Sequence, residues 1–264
     1  MTPQETAITI AFVHFRTTTL DHLDAAWFSL SKQDDWTDVV DVIVLDNNTD
    51  DAPVEIDAVL DRYPLLPCLP RLFVEKHGDP SRTHSWSVNR ALLYATTPWV
   101  FFTRTDFLLD PSCLRTFRET RDQRLARNPQ WDGLITSWCH QMGFDATLSN
   151  TDALAPHSMR EAPWRQHPSG PRSLIGHVPA CHFHDADKDA GVWLTRHSLW
   201  ARSGGLNERM VSWGYQQSVW QTKLVNRFAA EMVQIPDYLF HHQHHAAPRD
   251  PQQAAAEVQR WGHA

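Results

Sequence analysis

Two aspartates each close an apolar stretch, where a buried strand could present a carboxylate to a ligand. Asp46 ends the stretch DVIVLD, and Asp106 ends the stretch PWVFFTRTD, two positions after Arg104. An arginine can pair with a phosphate or with a neighbouring carboxylate. Each carboxylate alone could equally cap a turn in an exposed loop. Two of them at the ends of neighbouring strands favour one shared polar site.

The second half of the chain carries two further polar clusters. HHQHH, residues 241–245, places four imidazoles within five positions, and neutral imidazole is a ligand for transition metals. A solvated polar loop after a strand is the alternative. HDADKDA, residues 184–190, holds three aspartates just before the apolar stretch GVWLT. HHQHH lacks the HExxH pattern, which disfavours a zinc hydrolase.

Apolar strands alternate with helix-like segments along the first half of the chain, and this frame must position the polar residues. Strands are predicted at 7–15, 41–46, 71–76, 98–103, 131–138, 191–195 and 231–236. Helices are predicted at 20–33, 53–63, 84–96 and 111–129. Alternation of this kind predicts a mostly parallel sheet covered on both faces. Because ligands bind beyond the carboxyl ends of such strands, Asp46 and Asp106 should face one crevice.

Length, charge and hydropathy limit the class of protein. The 264 residues fit one large α/β domain, and a formal charge of −7 argues against a surface that generally coats nucleic acid. No apolar run reaches about 18 residues, so no membrane span is expected. The N-terminus lacks a signal-peptide pattern, which predicts a cytoplasmic protein.

Arginines at every third position of 115–127 are expected to form a solvated helix face rather than an anion-binding stripe. Residues 141–189 are expected to form a long irregular excursion.

Five pieces in order resemble GT-A-fold nucleotide-sugar glycosyltransferases of the broad family-2 type. They are ITIAFVHFRTTTLDHL, DVIVLDNNTDD, SWSVNRALLYATTPWVFFTRTD, SGGLNERMVSWGYQQSVW and LFHHQHH, which together span most of residues 7–245. The resemblance implies a single GT-A-type, Rossmann-like α/β domain over residues 1–264, with a mostly parallel central sheet and an irregular acceptor side. Residues 1–110 would form the nucleotide-binding half, 111–245 the acceptor-binding half, and 246–264 a tail or helix.

The resemblance also implies a donor site and a divalent metal. The residues matching the donor-binding positions are Arg16, Asp46, Asn89, Arg104, Thr105 and Asp106. Those matching the positions for Mn²⁺ or Mg²⁺ are Asp106, His241 and His244. A carboxylate at position 46 would accept the N3–H of uracil, which favours a UDP-sugar. Arg104 replaces the first acidic residue of the family's Asp-x-Asp, so metal binding is weaker or the diphosphate is neutralised jointly by metal and arginine.

On the acceptor side the resemblance places Trp213, Gly214 and Gln217 against an unknown hydroxyl acceptor. This acceptor could be a glycan, a small molecule or, less expected, a modified nucleic-acid base. Gln216 or Gln217 stands where inverting relatives carry the carboxylate that deprotonates the acceptor, and an amide cannot act as a base. Three explanations stay open: another carboxylate among Asp187, Asp189 and Glu208 serves as base, the reaction is retaining, or the protein binds a nucleotide-sugar without transferring it.

Overall fold

The fold was determined as a computed structural model. It describes residues 2–15, 18, 20–47, 53–65, 68–75, 83–141, 191–210, 216–242, 256 and 259–260. The main helices of this part of the chain are α1 Pro3–Thr6, α2 Leu20–Ser31, α3 Pro53–Arg62, α4 Thr83–Tyr94, α5 Cys113–Arg127, α6 His197–Ser203 and α7 Gln216–Phe228. Its strands are β1 Ile8–Phe15, β2 Val39–Asn47, β3 Pro70–Val74, β4 Trp99–Arg104, β5 Phe107–Leu109, β6 Leu134–Gln141, β7 Trp193–Arg196 and β8 Met232–His242.

The eight strands of the described residues form one sheet in the order β3-β2-β1-β4-β7-β6-β8-β5. β1 pairs in parallel with β2 and β4, β2 pairs in parallel with β3, and β6 pairs in parallel with β8. β7 runs antiparallel to β4 and β6, and β5 runs antiparallel to β8. The predicted α/β class with a mostly parallel sheet is therefore confirmed, and the antiparallel pairs all lie beyond β4.

Helices cover both faces of the sheet, as predicted. Successive side chains of a strand point to opposite faces, so Phe12 and Val44 join the core layer that includes α2, α3 and α5. Val13 and Leu45 join the layer that includes α4, α6 and α7. Burying an aromatic or branched side chain of this kind stabilises the fold by about 1.5–3 kcal/mol.

Four arginines of α5 are ion-paired, and one of them, Arg121, is buried and so departs from the predicted solvated face. Four arginine–carboxylate pairs tie the helix to its surroundings: Arg115–Asp34 at 2.8 Å, Arg118–Asp35 at 2.6 Å, Arg121–Asp38 at 2.6 Å and Arg124–Glu231 at 2.7 Å. The Arg121 side chain is 0% exposed. The partners of the first three precede β2, so the charges of α5 hold the amino end of that strand.

Several predicted boundaries differ from those of the structure. β5 was not predicted, because three residues after a turn give little periodicity. β8 continues to His242, beyond the predicted end at residue 236, and its backbone pairs Leu108 with His241 and Phe107 with His242. Most of the predicted irregular excursion lies outside the described residues. The division of the chain into a nucleotide half and an acceptor half stays a prediction.

Candidate active site at the carboxyl edge of the sheet

The carboxyl ends of three adjacent parallel strands bring the polar residues of the first half together. β1 lies between β2 and β4, with His14 opposite Asp46 and Val13 opposite Arg104. Neighbouring strands are about 4.8 Å apart, so the backbones of Asp46 and Arg104 are roughly 10 Å apart across the sheet. We call this border the carboxyl edge. It brings the ends of β2 and β4, with Asp46 and Arg104, to one edge of the sheet, and a shared crevice for Asp46 and Asp106 stays a prediction.

Asp46 is held beside a histidine that the sequence did not single out. His14 Nδ1 lies 3.2 Å from Asp46 Oδ1, and the two side chains are 0% and 1% exposed. The backbone oxygen of Asp46 accepts a hydrogen bond from the Glu75 N–H at 2.9 Å, which fixes the end of β2 against the residue after β3. His14 Nε2 has no hydrogen-bond partner among the described residues. A buried carboxylate oriented by an imidazole is suited to accept a hydrogen bond from a ligand.

The turn between β4 and β5 carries Arg104, Thr105 and Asp106. Arg104 Nε lies 3.0 Å from Asp106 Oδ1, with the side chains 9% and 0% exposed. The guanidinium also lies 4.6 Å from the centre of the Phe107 ring, a cation–π contact. The Thr105 N–H donates to the Val13 oxygen at 3.1 Å, so the turn is anchored to β1. Arg104 and Asp106 therefore form a buried ion pair at the carboxyl edge.

The described segment that begins with Gly191 passes close to this turn. A Cβ atom at Gly191 would come within 1.9 Å of the Phe107 ring, so only glycine permits the approach. Because the same ring lies under the Arg104 guanidinium, the glycine helps to keep the arginine in place. The predicted strand GVWLT thus contributes a glycine to the site and a strand, β7, beside β4.

His84 completes this side of the site and was missed by the sequence analysis. It lies in the first turn of α4 and is buried. Burial, and secondarily the positive charge of Arg104, lowers the pKa of His84 to about 3, although the Asp106 carboxylate opposes the shift. The imidazole is therefore neutral near neutral pH. In the sequence, His84 could have been singled out by its position at the start of the predicted helix that precedes β4.

Asn89 is hydrogen-bonded to the loop that follows Gly204 and Gly205, and its role in nucleotide binding stays a prediction. Its Nδ2 donates to the Leu206 oxygen at 2.9 Å and to Glu208 Oε1 at 2.8 Å, and its Oδ1 accepts the Leu206 N–H at 2.9 Å. Gly205 has φ of +66°, and a Cβ there would lie 2.4 Å from Asn89 Oδ1. The asparagine therefore clamps the Gly-Gly loop and orients Glu208, which is exposed.

This loop borders an open pocket of about 350 Å³ that residues of α4, α7 and the loop itself line. Its lining includes Asn89, Glu208, Arg209 and Lys223. The structure thus brings two predicted site residues, Asn89 and Glu208, together. Both residues line this pocket, and Asn89 lies more than one turn of α4 away from His84.

The remaining predicted residues are described only in part. Gln216 and Gln217 begin α7 and are each 2% exposed, and Gln216 Nε2 lies 3.5 Å from the Met210 oxygen. For His241 only the backbone is described, in β8 opposite Leu108. The residues that lie outside the described part of the chain are Arg16, Asp187, Asp189, Trp213, Gly214 and His244.

Asp106 and His84 are described side chains at the carboxyl edge that could hold a divalent cation together with a ligand. Asp106 offers one carboxylate. His84 is a neutral imidazole, and the charge of the Asp106 carboxylate acts to raise the pKa of His84. Among the described residues, no group of three or more His, Cys, Asp and Glu could hold a metal by itself. Magnesium is commonly held by one or two carboxylates together with substrate phosphates. The residues present are consistent with that kind of site, with Arg104 as a second positive charge.

The overall fold is of the GT-A type. The fold is similar to that of S. aureus TarS 1-349 in complex with UDP. The TM-score is 0.57 and the sequence identity is 15%, and the match covers 96% of this chain and 63% of that chain. The fold is also similar to the mannosyltransferase PcManGT from Pyrobaculum calidifontis in complex with GDP-Man and Mn²⁺, with a TM-score of 0.55, 18% identity, and coverage of 96% and 60%.

Comparison of the sequence with known families and proteins does not assign the chain to a family. No protein-family model matches the chain, and no curated protein matches it. The chain spans about 60% of the solved chains named above. At these identities the likeness establishes the fold alone. Within the described residues, no helix is both long enough and apolar enough to cross a membrane.

Proposed function

We propose that this protein transfers a sugar from a nucleotide-diphosphate sugar to a hydroxyl acceptor. The observation that carries the proposal is the carboxyl edge itself: two buried aspartates, each beside a basic side chain, at the strand ends of a GT-A fold. Similar structures were solved with UDP, UDP-GlcNAc and GDP-Man. Transfer of a hexose is the reaction we expect.

Asp46 would recognise the nucleotide base. A carboxylate can accept the N3–H of uracil, whereas cytosine has no donor at that position. His14, 3.2 Å away, would fix the orientation of the carboxylate. This arrangement favours UDP over CDP, and we propose a UDP-sugar as the donor.

Arg104, Asp106 and His84 would bind the diphosphate. Asp106 would hold Mn²⁺ or Mg²⁺ together with the phosphate oxygens, and the late histidines His241 and His244 would be further ligands. The cation, when bound, neutralises the charge that develops on the leaving diphosphate. Arg104 supplies a fixed positive charge for the same purpose and would donate to a phosphate oxygen. Arg16 and Thr105 would add contacts to the donor.

The catalytic base is proposed among Asp187, Asp189 and Glu208. Gln216 and Gln217 cannot accept a proton, although they can orient an acceptor hydroxyl. Glu208 is the described candidate, and its carboxylate accepts a hydrogen bond from Asn89 at 2.8 Å. Trp213, Gly214 and Gln217 would bind the acceptor.

A second function is favoured by two observations. Arg104 already pairs with Asp106 at 3.0 Å, and amides stand at 216 and 217. Both features suit a protein that binds a nucleotide-sugar without transferring it. The two functions share the donor site and differ only in turnover.

Calorimetric binding of UDP, GDP and CDP, each with and without Mn²⁺, tests the donor site. Manganese-dependent binding of UDP is expected, and Asp46→Asn should lower the preference for UDP over CDP. If the affinity for nucleotide is the same with and without manganese, Arg104 and not a cation neutralises the diphosphate. If no nucleotide binds, the proposal fails. Release of UDP from UDP-sugars in the presence of glycan acceptors then separates a transferase from a binding protein.

A further inference from the structure

Strand β3 forms one end of the sheet of the described residues, and its outer side is unpaired there. The backbone N–H and C=O of one strand residue point to the same side, and the side alternates from residue to residue. The Glu75 N–H donates to the Asp46 oxygen of β2 at 2.9 Å, so every second residue before Glu75 also points to β2. The others, Pro70, Leu72 and Val74, point their backbone groups away from the sheet. Pro70 has no N–H, which suits a position on an outer edge.

Apolar side chains lie beside this outer edge. Leu69 is 83% exposed, Val74 is 40% exposed, and Leu93, near the end of α4, is 58% exposed. Arg71 links two of them: it follows Leu69 by two residues, and its Nη2 donates to the oxygen of Tyr94 at 3.3 Å, next to Leu93. A single exposed apolar residue is ordinary on a protein surface. Several of them beside an unpaired strand are typical of a surface that binds another chain.

The arginines of this surface are neutralised within the chain. Arg71 Nε donates to Asp41 Oδ1 at 3.0 Å, and Arg90 Nε donates to Glu75 Oε2 at 2.7 Å. The whole chain has a formal charge of −7, so two copies repel each other unless they meet where charges cancel. The two ion pairs beside β3 supply such a place.

We propose that β3 pairs in antiparallel fashion with β3 of a second copy of this chain, about a two-fold axis at Leu72. In this register the two Leu72 residues exchange both of their hydrogen bonds. Each Val74 N–H donates to the Pro70 oxygen of the other copy, so the missing N–H of Pro70 removes only one bond on each side. A two-fold contact uses the same surface on both copies, and this strand, with its proline, is complementary to itself in that register.

This pairing leaves the carboxyl edge accessible in both copies. β3 runs parallel to β2, β1 and β4, so an antiparallel contact between two β3 strands points the two carboxyl edges in opposite directions. Each copy therefore keeps its own proposed donor site. The inference stands on the edge strand and does not depend on the proposed function.

Sedimentation of the full chain over a range of concentrations tests the dimer. One strand pair with a few side chains is a small interface, so we expect a dissociation constant of roughly 10 μM. Residue 69 lies opposite Glu75 of the second copy in the proposed register. Leu69→Glu should therefore weaken the dimer at least about tenfold, because like charges meet. Leu69→Lys should weaken it less, and equal weakening by both variants would contradict the register.

Val225→Glu is the matched control, since Val225 is an apolar residue of α7 that is 42% exposed. This variant should dimerise as the wild type does. A chain that stays monomeric from about 1 to about 100 μM would overturn the inference, because a dimer of the expected strength forms in that range. A dimer that Leu69→Glu leaves unchanged, or that Val225→Glu weakens equally, would also overturn it.

Val74→Pro tests the backbone pairing itself. It removes an N–H that points away from the sheet, so the unfolding temperature should change little. By symmetry it removes two hydrogen bonds from the dimer and should weaken it at least about tenfold. Hydrogen exchange in the peptide that contains β3 should slow with rising concentration in the wild type and not in Val74→Pro. Exchange in β3 that is independent of concentration while the wild type dimerises would place the interface elsewhere and overturn the inference.

Discussion

Two arginine–aspartate pairs with buried guanidinium groups lie at opposite edges of the same sheet. Arg121 and Asp38 lie where β1, β2 and β4 begin, and Arg104 and Asp106 lie where β4 ends. Each guanidinium also lies near an aromatic ring, Trp99 at 5.6 Å for Arg121 and Phe107 at 4.6 Å for Arg104. The chemistry is the same, but the connections differ.

Arg121 joins distant parts of the chain. It donates to Asp38 at 2.6 Å and to the Thr6 oxygen at 2.7 Å, across sequence separations of 83 and 115 residues. Arg104 and Asp106 are two residues apart, so their contact closes only a local turn. A local pair holds no distant elements together, and it is also partly available to the unfolded chain. The comparison indicates that the amino-edge pair links distant elements, whereas the carboxyl-edge pair lies where the donor site is proposed.

Breaking the amino-edge pair should give the largest effect. Arg121→Met should lower the free energy of unfolding by about 3 kcal/mol, since Asp38 and the Thr6 oxygen lose a buried partner. Urea denaturation measures this loss. Addition of nucleotide with manganese should still raise the unfolding temperature of the variant as it does for the wild type. A variant that is as stable as the wild type would contradict the structural role of Arg121.

Breaking the carboxyl-edge pair should affect binding instead. Asp106→Asn should weaken manganese-dependent nucleotide binding by about 30-fold or more, which corresponds to roughly 2 kcal/mol for one charged partner. Calorimetry measures the affinity, and Asp38→Asn is the matched control. The control should lose stability and keep its affinity for nucleotide. Equal affinities in wild type and Asp106→Asn would place the donor site elsewhere.

The sequence predicted the strands that form the carboxyl edge better than the side-chain contacts at that edge. Asp46 and Asp106 were found because an apolar strand that ends in a carboxylate is visible in the sequence. His84 was not, because its burial depends on how α4 packs against the turn at Arg104. Arg121 was misjudged for a similar reason: a spacing of three is typical of exposed helix faces, and its partner lies 83 positions away. The sequence also could not reveal that Asn89 binds the Gly-Gly loop, which requires the positive φ of Gly205.

The neutral state of His84 at the carboxyl edge predicts a pH dependence of stability. Its pKa is about 3 in the folded protein and about 6.5 when unfolded, so below pH 6.5 the unfolded chain binds a proton that the folded chain does not. Stability contributed by the neutral form is present above pH 6.5 and falls by about 1.4 kcal/mol per pH unit toward pH 3. Urea denaturation near pH 7 and near pH 5 should show a smaller loss in His84→Gln than in the wild type. Equal losses would mean that His84 is not buried as a neutral imidazole.

The smallest effect is expected on the same helix as the largest. Arg115 pairs with Asp34 at 2.8 Å, yet the two side chains are 46% and 39% exposed. Water screens this pair, and holding two flexible side chains together costs entropy, so Arg115→Ala should change the free energy of unfolding by less than about 1 kcal/mol. The same denaturation experiment that detects Arg121→Met measures it. If Arg115→Ala were as destabilising as Arg121→Met, the ion pairs of α5 would act as one network, and burial would not be what distinguishes Arg121.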